Sequence, residues 1–305
     1  MTNIVKVTSK QQLQTIEQYY KKQGKLVDRL PPGAIFVAKD TGVTITGYRS
    51  NKIMFQGTNA EVEAQKFNLT ETNTKTNTNH SATLPENFHT LSVIGSDEVG
   101  TGDYFGPFIV ASAFCASDQL AYLSKLGVKD SKKLTDNEIK QIAKVLVKEI
   151  PYSLLIVHNE KYNELHAKGI NQVKMKVLLH NQALYLTAEK IKPATYEAIL
   201  IDQFVKKETY FSYLKNEKNV IKDRVFFATK GESHHLAVAC ASIIARASFL
   251  QEMDKLSQKI GFPLPKGAGP NVDKTARQII RTHGEKSLRH YAKVHFANTK
   301  KAKGN

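Results

Sequence analysis

The sequence predicts an α/β protein in which a layered domain follows a smaller α+β unit. Three observations support this prediction. Apolar strand-like segments alternate with helical patterns in the second part of the chain, a helix and three short strands mark the first part, and a polar segment separates the two. The chain has 305 residues, 41% of them hydrophobic, which is enough for a full core and about two domains.

The first unit begins with a helical pattern over residues 11–22. Three short apolar segments follow at 34–38, 43–46 and 52–55, and turn residues separate them. This arrangement is typical of an antiparallel meander. Residues 61–67 predict a second helix.

Residues 68–81 are rich in Thr and Asn and almost free of apolar side chains. Such a segment buries too little surface to offset the entropy lost on ordering, so we predict a linker. We assign residues 1–83 to the first domain with this linker, and residues 84–305 to the second.

The second domain alternates between strand and helix patterns. Thr135 is a plausible N-cap, with Glu138 three residues on to complete a capping box. The longest helix carries apolar residues at the 3.6-residue spacing of a core face. Strands are predicted at 92–96, 105–114, 153–158, 198–202 and 225–228, and helices at 135–149, 171–191, 235–260, 273–282 and 285–290.

The charge balance indicates a polyanionic partner. The formal net charge is +16 and the pI is about 9.6. Surplus lysine could instead only solubilise the surface, but the basic residues cluster. From residue 259 to the end there are eleven Lys and Arg against two acids, a net charge of 11 − 2 = +9. This C-terminal part is therefore the stronger candidate for binding phosphates.

Four acids are candidate metal ligands. Asp97 and Glu98 lie side by side after an apolar run and before a glycine-rich turn, Asp202 closes another apolar run, and Glu232 lies between a predicted strand and the longest helix. Strand ends at the rim of a sheet are where α/β folds place their sites. Carboxylate oxygens suit Mg²⁺ and Mn²⁺, and two such ions about 4 Å apart can promote phosphodiester hydrolysis. We predict a site for Mg²⁺ or Mn²⁺ formed by these acids.

Each acid also has a structural interpretation. Asp97 could cap a turn, Glu98 could face solvent, and Asp202 could begin a turn. Glu232 could interact with the macrodipole of the following helix. Asp103, beside the glycine turn, is better interpreted as a turn residue than as a ligand.

Gly100 and Gly102 flank Thr101 in that turn. They could only satisfy positive φ angles, or they could let backbone amides approach a nucleotide closely. Their spacing does not match a Walker A loop or a dinucleotide fingerprint.

Taken together, these residues resemble the type 2 and type 3 ribonucleases H. The resemblance covers roughly residues 90–290 and is specific because several segments occur in the right order and spacing. The matching segments are 95–102, 130–134, the strand ending in Asp202, 230–233 and 235–246.

Two features favour the type 3 group. Gly100-Thr101-Gly102 stands where type 2 enzymes typically have Gly-Arg-Gly, and Glu232 stands where they usually have Asp. An additional N-terminal domain is also characteristic of type 3 enzymes. In that group the domain resembles the TATA-binding-protein fold and binds the hybrid substrate.

The resemblance implies a ribonuclease H-like catalytic domain that cuts the RNA strand of RNA/DNA hybrids with Mg²⁺ or Mn²⁺ and leaves 3′-hydroxyl and 5′-phosphate ends. It makes the four acids both metal ligands and catalytic residues. The backbone of residues 100–102 would contact ribose 2′-hydroxyls, the group that distinguishes RNA from DNA. Without the arginine, isolated ribonucleotides in DNA should be cut poorly. Ser131 and Lys132 would lie near the substrate phosphates, although on the residues alone this segment is an ordinary exposed loop. Lys230 would also bind the substrate.

Lys274, Arg277 and Arg281 have the spacing of one helix face and could contact the nucleic-acid backbone. The alternative is a solvated helix face. For Lys300, Lys301 and Lys303 we favour a disordered basic tail.

On the residues alone, two other functions stay open: a non-catalytic nucleic-acid-binding protein, and a metal nuclease of different specificity. Cys115 and Cys240 lie in apolar contexts without metal-ligand spacing, which favours buried reduced thiols in a cytoplasmic protein. We expect a monomer without a membrane span.

Overall fold

A computed structural model describes residues 2–28, 30–31, 33–67 and 84–304. The chain forms two compact units, Met1–His80 and Ser81–Asn305. The predicted linker, residues 68–81, lies outside the described residues, and so does the predicted end of the first domain at residue 83. The predicted fold class is confirmed: a small α+β unit precedes an α/β unit with a mixed sheet.

The first unit is a four-stranded antiparallel sheet with strand order β1-β4-β3-β2 and two helices. The helix α1 packs Leu13, Ile16 and Tyr20 into its core. The meander of three strands was predicted, but the edge strand β1 was not. The elements are β1 (Thr2–Val7), α1 (Lys10–Lys22), β2 (Ala34–Asp40), β3 (Val43–Tyr48), β4 (Lys52–Gly57) and α2 (Ala60–Gln65).

The second unit is built on a five-stranded sheet with strand order β7-β6-β5-β8-β9. The strands β6 and β7 run antiparallel to their neighbours, whereas β5, β8 and β9 are parallel. The elements are β5 (Val93–Val99), β6 (Phe108–Cys115), α3 (Leu120–Lys125), α4 (Asp136–Glu149), β7 (Tyr152–Val157), α5 (Asn159–Ala167), α6 (Gln172–Lys190), β8 (Ala198–Asp202), α7 (Lys207–Tyr213), β9 (Val225–Ala228), α8 (Leu236–Ile260), α9 (Pro270–His283), α10 (Leu288–Tyr291) and α11 (Ala297–Lys303).

Two helices cover opposite faces of this sheet. On one face α8 packs on β5 and β6, with Val93 and Val238 among its core residues. On the other face α6 packs on the same two strands, with Ile94 and Val177 in that core. Successive residues of β5 therefore point to different helices, because side chains alternate along a strand.

The crossing of α8 over β5 is close at Gly95. A Cβ atom placed there would lie 2.3 Å from the Val238 backbone nitrogen and 2.4 Å from the Ala237 carbonyl carbon. Glycine at this position lets the helix lie against the strand immediately before the two adjacent acids.

Among the described residues, α8 is the one helix long and apolar enough to cross a membrane by length and composition, and 61% of its apolar window is buried inside the protein. The two cysteines are buried free thiols, as predicted, with their sulfur atoms 3.8 Å apart.

The predicted disordered C-terminal tail is wrong for the described residues. Residues Ala297–Lys303 form α11, which buries Asn298, Thr299 and Ala302. The Asn298 amide donates to the Ala268 carbonyl at 2.9 Å, and Lys301 and Lys303 form ion pairs with acids of the preceding segment. The buried side chains and the ion pairs at the surface together stabilise the basic end of the chain as a helix, and no local sequence pattern predicts them.

Lys293 is fully buried beneath the segment that follows the glycine turn. Its ammonium donates to the carbonyl oxygens of Asp103 at 2.9 Å and Gly106 at 2.6 Å, and lies 5.7 Å from the Tyr162 ring centre. Burial lowers the pKa of Lys293 to about 7. The side chain thus holds the backbone of residues 103–106 in place from the protein interior.

We expect Lys293→Met to lower the free energy of unfolding by about 2–4 kcal/mol, because buried carbonyl groups would lose their donor. Urea denaturation measures the change. Lys300→Met, which alters an exposed lysine nearby, is the matched control and should stay within about 0.5 kcal/mol. Equal stabilities of the two variants would contradict a positioning role for Lys293.

Candidate active site

The adjacent acids Asp97 and Glu98 stand at the end of β5 and point to opposite faces of the sheet. Asp97 points towards α8, where the neighbouring Ser242 hydroxyl lowers its pKa. Glu98 contacts Lys176 and His180 of α6 instead. The pair noted in the sequence therefore straddles the sheet.

Asp97 is a partly buried carboxylate among other acids. Burial and the neighbouring charge of Glu98 raise its pKa to about 7, and Asp202 adds to the shift. Its Oδ1 accepts the Glu98 backbone N–H at 2.7 Å. A nearby cation would stabilise the charged form of such a carboxylate.

Glu98 has a partner on each oxygen. Lys176 Nζ lies 2.5 Å from Oε1 and His180 Nε2 lies 3.0 Å from Oε2. Burial raises the pKa of Glu98, but the bonds and charges of these two partners outweigh it and lower the pKa well below its usual value.

Asp202 ends β8, the parallel neighbour of β5, so both strands deliver their acids to one edge of the sheet. The Gly231 backbone N–H donates to Asp202 Oδ1 at 2.8 Å. Burial raises the pKa of Asp202, and the charges of Glu232 and Glu98 add to it. Asp97 and Asp202 therefore lie at the same edge of the sheet, and their role as metal ligands stays a prediction.

Glu232 lies in a 3₁₀ turn between β9 and α8. Its Oε1 is 3.4 Å from Lys132 Nζ, and its charge raises the pKa of that lysine, with a further contribution from Asp97. Lys230, at the start of the turn, has a left-handed backbone with φ 57° and ψ 48°. A non-glycine residue in this region stores strain, as functional sites often do.

The chemistry of these donors fits a divalent cation. The charges of Glu98 and Asp202 raise the pKa of Asp97, and those of Glu232 and Glu98 raise the pKa of Asp202. Carboxylate oxygens are the ligands that Mg²⁺ and Mn²⁺ prefer. Within the described ranges, however, no three His, Cys, Asp or Glu side chains are grouped closely enough to hold a metal ion. Glu98 itself is bonded to Lys176 and His180 of α6.

The two glycines of the turn differ. Gly100 has φ +89°, and a Cβ there would lie 2.2 Å from the Pro107 carbonyl oxygen, so its role in the turn is structural. Gly102 does not have a positive φ angle, and a Cβ there would meet nothing within 4 Å. The interpretation that both glycines satisfy positive φ is therefore wrong for Gly102. The Thr101 carbonyl accepts a hydrogen bond from Gln172 at 2.9 Å, which ties the turn to α6.

Comparison with known proteins gives one consistent family. The model of the family "Ribonuclease HII" matches residues 94–299, and that of a domain of unknown function (DUF3378) matches residues 3–80. Ribonuclease HIII of Listeria monocytogenes serotype 4b is 50% identical over 99% of this chain and 98% of its own length. Ribonuclease HIII of Bacillus pumilus is 54% identical over 91% and 92% of the two chains.

The chain belongs to the ribonuclease HIII family. It is therefore a ribonuclease H, a hydrolase that acts on the RNA of RNA/DNA hybrids. The crystal structure of Bst-RNase HIII in complex with Mn²⁺ is 46% identical and superposes with a TM-score of 0.71, covering 99% of this chain and 98% of that one. The resemblance inferred from the sequence is confirmed.

In this member of the ribonuclease HIII family, Ser131 lies behind the acids. Its hydroxyl is 2.8 Å from that of Ser242, the α8 residue that lowers the pKa of Asp97. Arg246 of α8 donates to the Ser131 carbonyl oxygen and, at 2.9 Å, to Asp136. The loop that carries Lys132 is thus fixed to α8, the helix that Asp97 faces. Asp103 accepts the Gly267 backbone N–H at 2.6 Å, as expected for a turn residue.

The basic residues predicted on one helix face are found there. Lys274, Arg277 and Arg281 are exposed on α9, whose opposite side buries Val272, Ala276 and Ile279. Their contact with nucleic acid remains a prediction.

Sequence reasoning missed Lys176, His180 and Ser242. Lys176 and His180 are four residues apart in α6, next to buried Met175 and Val177. Two polar residues one turn apart on an otherwise apolar helix side were the available signal. Nothing in the sequence connects them with Glu98.

Proposed function

We propose that this ribonuclease H is an endonuclease that cuts the RNA strand of hybrids by two-metal-ion hydrolysis and leaves 5′-phosphate and 3′-hydroxyl ends. One observation carries the proposal: partly buried carboxylates from β5, β8 and the turn before α8 face one edge of the sheet in a basic protein. The Mn²⁺ complex of the similar Bst-RNase HIII supports a divalent ion here.

The residues Asp97, Glu98, Asp202 and Glu232 would hold the ions. When bound, Mg²⁺ or Mn²⁺ would activate the attacking water and neutralise charge on the leaving oxygen. The Gly231 amide donates to Asp202 and the Glu98 amide donates to Asp97, so both acids are oriented before any ligand arrives.

The open backbone at Gly102 suits close approach by a ribose, and its amide and neighbouring carbonyls could bond a 2′-hydroxyl. Lys132, which is 78% exposed beside Glu232, is placed to receive a phosphate near the acids, and Lys230 starts the same turn as Glu232. This arrangement would let the enzyme bind the RNA strand at the acids.

Cleavage of a substrate panel tests this function. Purified protein is mixed with end-labelled RNA/DNA hybrid, double-stranded RNA, double-stranded DNA and DNA with one ribonucleotide, each with Mg²⁺ or Mn²⁺. We expect cutting within the RNA strand of the hybrid and weak cutting at the single ribonucleotide. Double-stranded RNA and double-stranded DNA should not be cut. Product ends are read by susceptibility to phosphatase and by ligation. Failure to cut the hybrid with either ion would reject the proposal.

We propose that the exposed face of α9 binds the nucleic-acid backbone. Replacing Lys274, Arg277 and Arg281 with Gln should weaken hybrid binding and make the slope of log K against log salt shallower by up to about three units. The slope is measured by fluorescence anisotropy at several salt concentrations, without metal.

The matched control changes Lys125, Lys144 and Lys148 to Gln, because these lysines are also exposed but lie on α3 and α4. It removes the same charge from another surface. If both triple variants change the slope equally, net charge rather than the α9 face determines binding.

A further inference from the structure

Glu98 is held by two residues of α6 that differ in their freedom to move. Lys176 Nζ bonds one carboxylate oxygen and His180 Nε2 bonds the other. The side chains of Lys176 and Glu98 are 15% and 11% exposed, whereas His180 is 0% exposed. Lys176 therefore lies at the rim of the site and His180 inside the protein.

The buried ring of His180 is held by contacts with β5 and with Phe204. Its Nδ1 lies 2.8 Å from the Ser96 hydroxyl of β5, and its ring centre is 4.9 Å from that of Phe204. Ser96 is two residues before Glu98 on the same strand face. The contact between His180 and Glu98 thus belongs to the packing between α6 and β5.

Among the described residues, the ammonium of Lys176 contacts Glu98 and the Phe204 ring, and it is carried on a long flexible stem. Its ammonium lies 5.1 Å from the centre of the Phe204 ring, so it has a favourable neighbour besides Glu98. It can leave Glu98 without opening the core, which His180 cannot do.

A divalent ion that uses Glu98 is repelled by the ammonium of Lys176 and competes with Lys176 or His180 for the lone pairs of the carboxylate. The rigid contact with His180 leaves the oxygen bonded by Lys176 as the exchangeable one. We propose that Lys176 is a built-in counter-ion, which occupies Glu98 in the metal-free protein and is displaced by the incoming ion, while His180 positions the carboxylate. This inference rests on the proposed metal site.

The proposal predicts opposite effects for two residues that hold the same carboxylate. Lys176→Met removes the competing charge, so the Kd for Mn²⁺ should fall about tenfold, since a single charge a few ångströms away changes the attraction substantially. His180→Gln removes the rigid anchor, so the Kd should rise. A merely structural role for Lys176 would give weaker or unchanged binding.

Calorimetric titration of the full chain with MnCl₂, without nucleic acid, measures both values. Lys174→Met is the matched control, because it removes the same charge from the same helix and its ammonium has no partner among the described residues. The Kd of this control should stay within about twofold of the wild-type value. That change is smaller than the one expected for Lys176→Met, which removes a charge that contacts the site. Thermal unfolding should also show a larger gain in Tm with Mn²⁺ for Lys176→Met than for wild type.

The outcomes separate the two proposals. Wild-type protein that binds no Mn²⁺ would overturn the metal site itself. Wild-type protein that binds Mn²⁺, with an equal or weaker affinity for Lys176→Met, would overturn the role of Lys176 and leave the metal site standing. A decrease in Kd for Lys174→Met as large as that for Lys176→Met would reduce the effect to net charge and also overturn it.

Discussion

Asp97→Asn is expected to cut hybrid RNA at least about 10³-fold more slowly than wild type, because it removes a charged oxygen ligand from the centre of the site. It is also expected to be the more stable protein in EDTA at pH 8. Loss of activity together with a gain in stability distinguishes a functional acid from a structural one.

The gain in stability follows from the pKa of Asp97, which burial and Glu98 raise from 3.8 to about 7. Between these pH values the folded protein holds a proton that the unfolded chain has released, so stability falls as pH rises through this window. Asparagine cannot ionise and avoids the loss. At about 1.4 kcal/mol per pKa unit the full shift would give about 4 kcal/mol, and partial exposure reduces the expected gain to roughly 1–2 kcal/mol.

Urea denaturation in EDTA at several pH values measures this effect. The advantage of Asp97→Asn should grow from pH 4 to pH 7 and then level off. Asp118→Asn, which changes an exposed acid after β6, is the control and should show no such trend. A variant that is less stable than wild type at pH 8 would show that Asp97 serves the fold rather than the site.

Gly95→Ala is expected to lower the free energy of unfolding by at least about 3 kcal/mol, because the new methyl group meets backbone atoms rather than flexible side chains. The nearest atoms are the Val238 nitrogen and the Ala237 carbonyl carbon, at 2.3 and 2.4 Å. The helix α8 would have to move away from β5, and with it Ser242, which lowers the pKa of Asp97.

Gly102→Ala is the matched comparison, since a Cβ there meets nothing within 4 Å and the backbone has no positive φ. Its stability should stay within about 0.5 kcal/mol of wild type. Gel filtration and circular dichroism establish whether each variant is folded before denaturation is measured. Similar stabilities for the two alanine variants would contradict the close crossing at Gly95.

The strands that carry the acids were predictable because their signals are local. The bounds of β8 and β9 agree with the prediction at both ends, since each is an apolar run enclosed by turn residues. The predicted strand at 105–114 began too early, because Gly106 has φ +82° and β6 starts only at Phe108. Local propensity does not predict the turn at residues 103–106, because Lys293 stabilises it from a distant part of the chain.

Other elements were missed because their stability comes from distant partners. The strand β1 mixes polar and apolar residues and is defined by pairing with β4, about fifty residues away. The helix α5 buries Asn159 and Asn163, whose amides bond carbonyls of Gly106 and Ala292, so it lacks an apolar stripe. The acids themselves were found because each ends or follows a strand. The partners of Glu98 were not, since α6 meets β5 only in the folded chain.

The opposite orientations of Asp97 and Glu98 have an evolutionary consequence. Two neighbouring codons specify acids whose surroundings are inherited from different helices, α8 for one and α6 for the other. Substitutions in α8 change the contacts of the first acid without touching those of the second, and the reverse holds for α6. Selection on one helix can therefore alter the contacts of one acid at a time, while the charge of Glu98 still links the two.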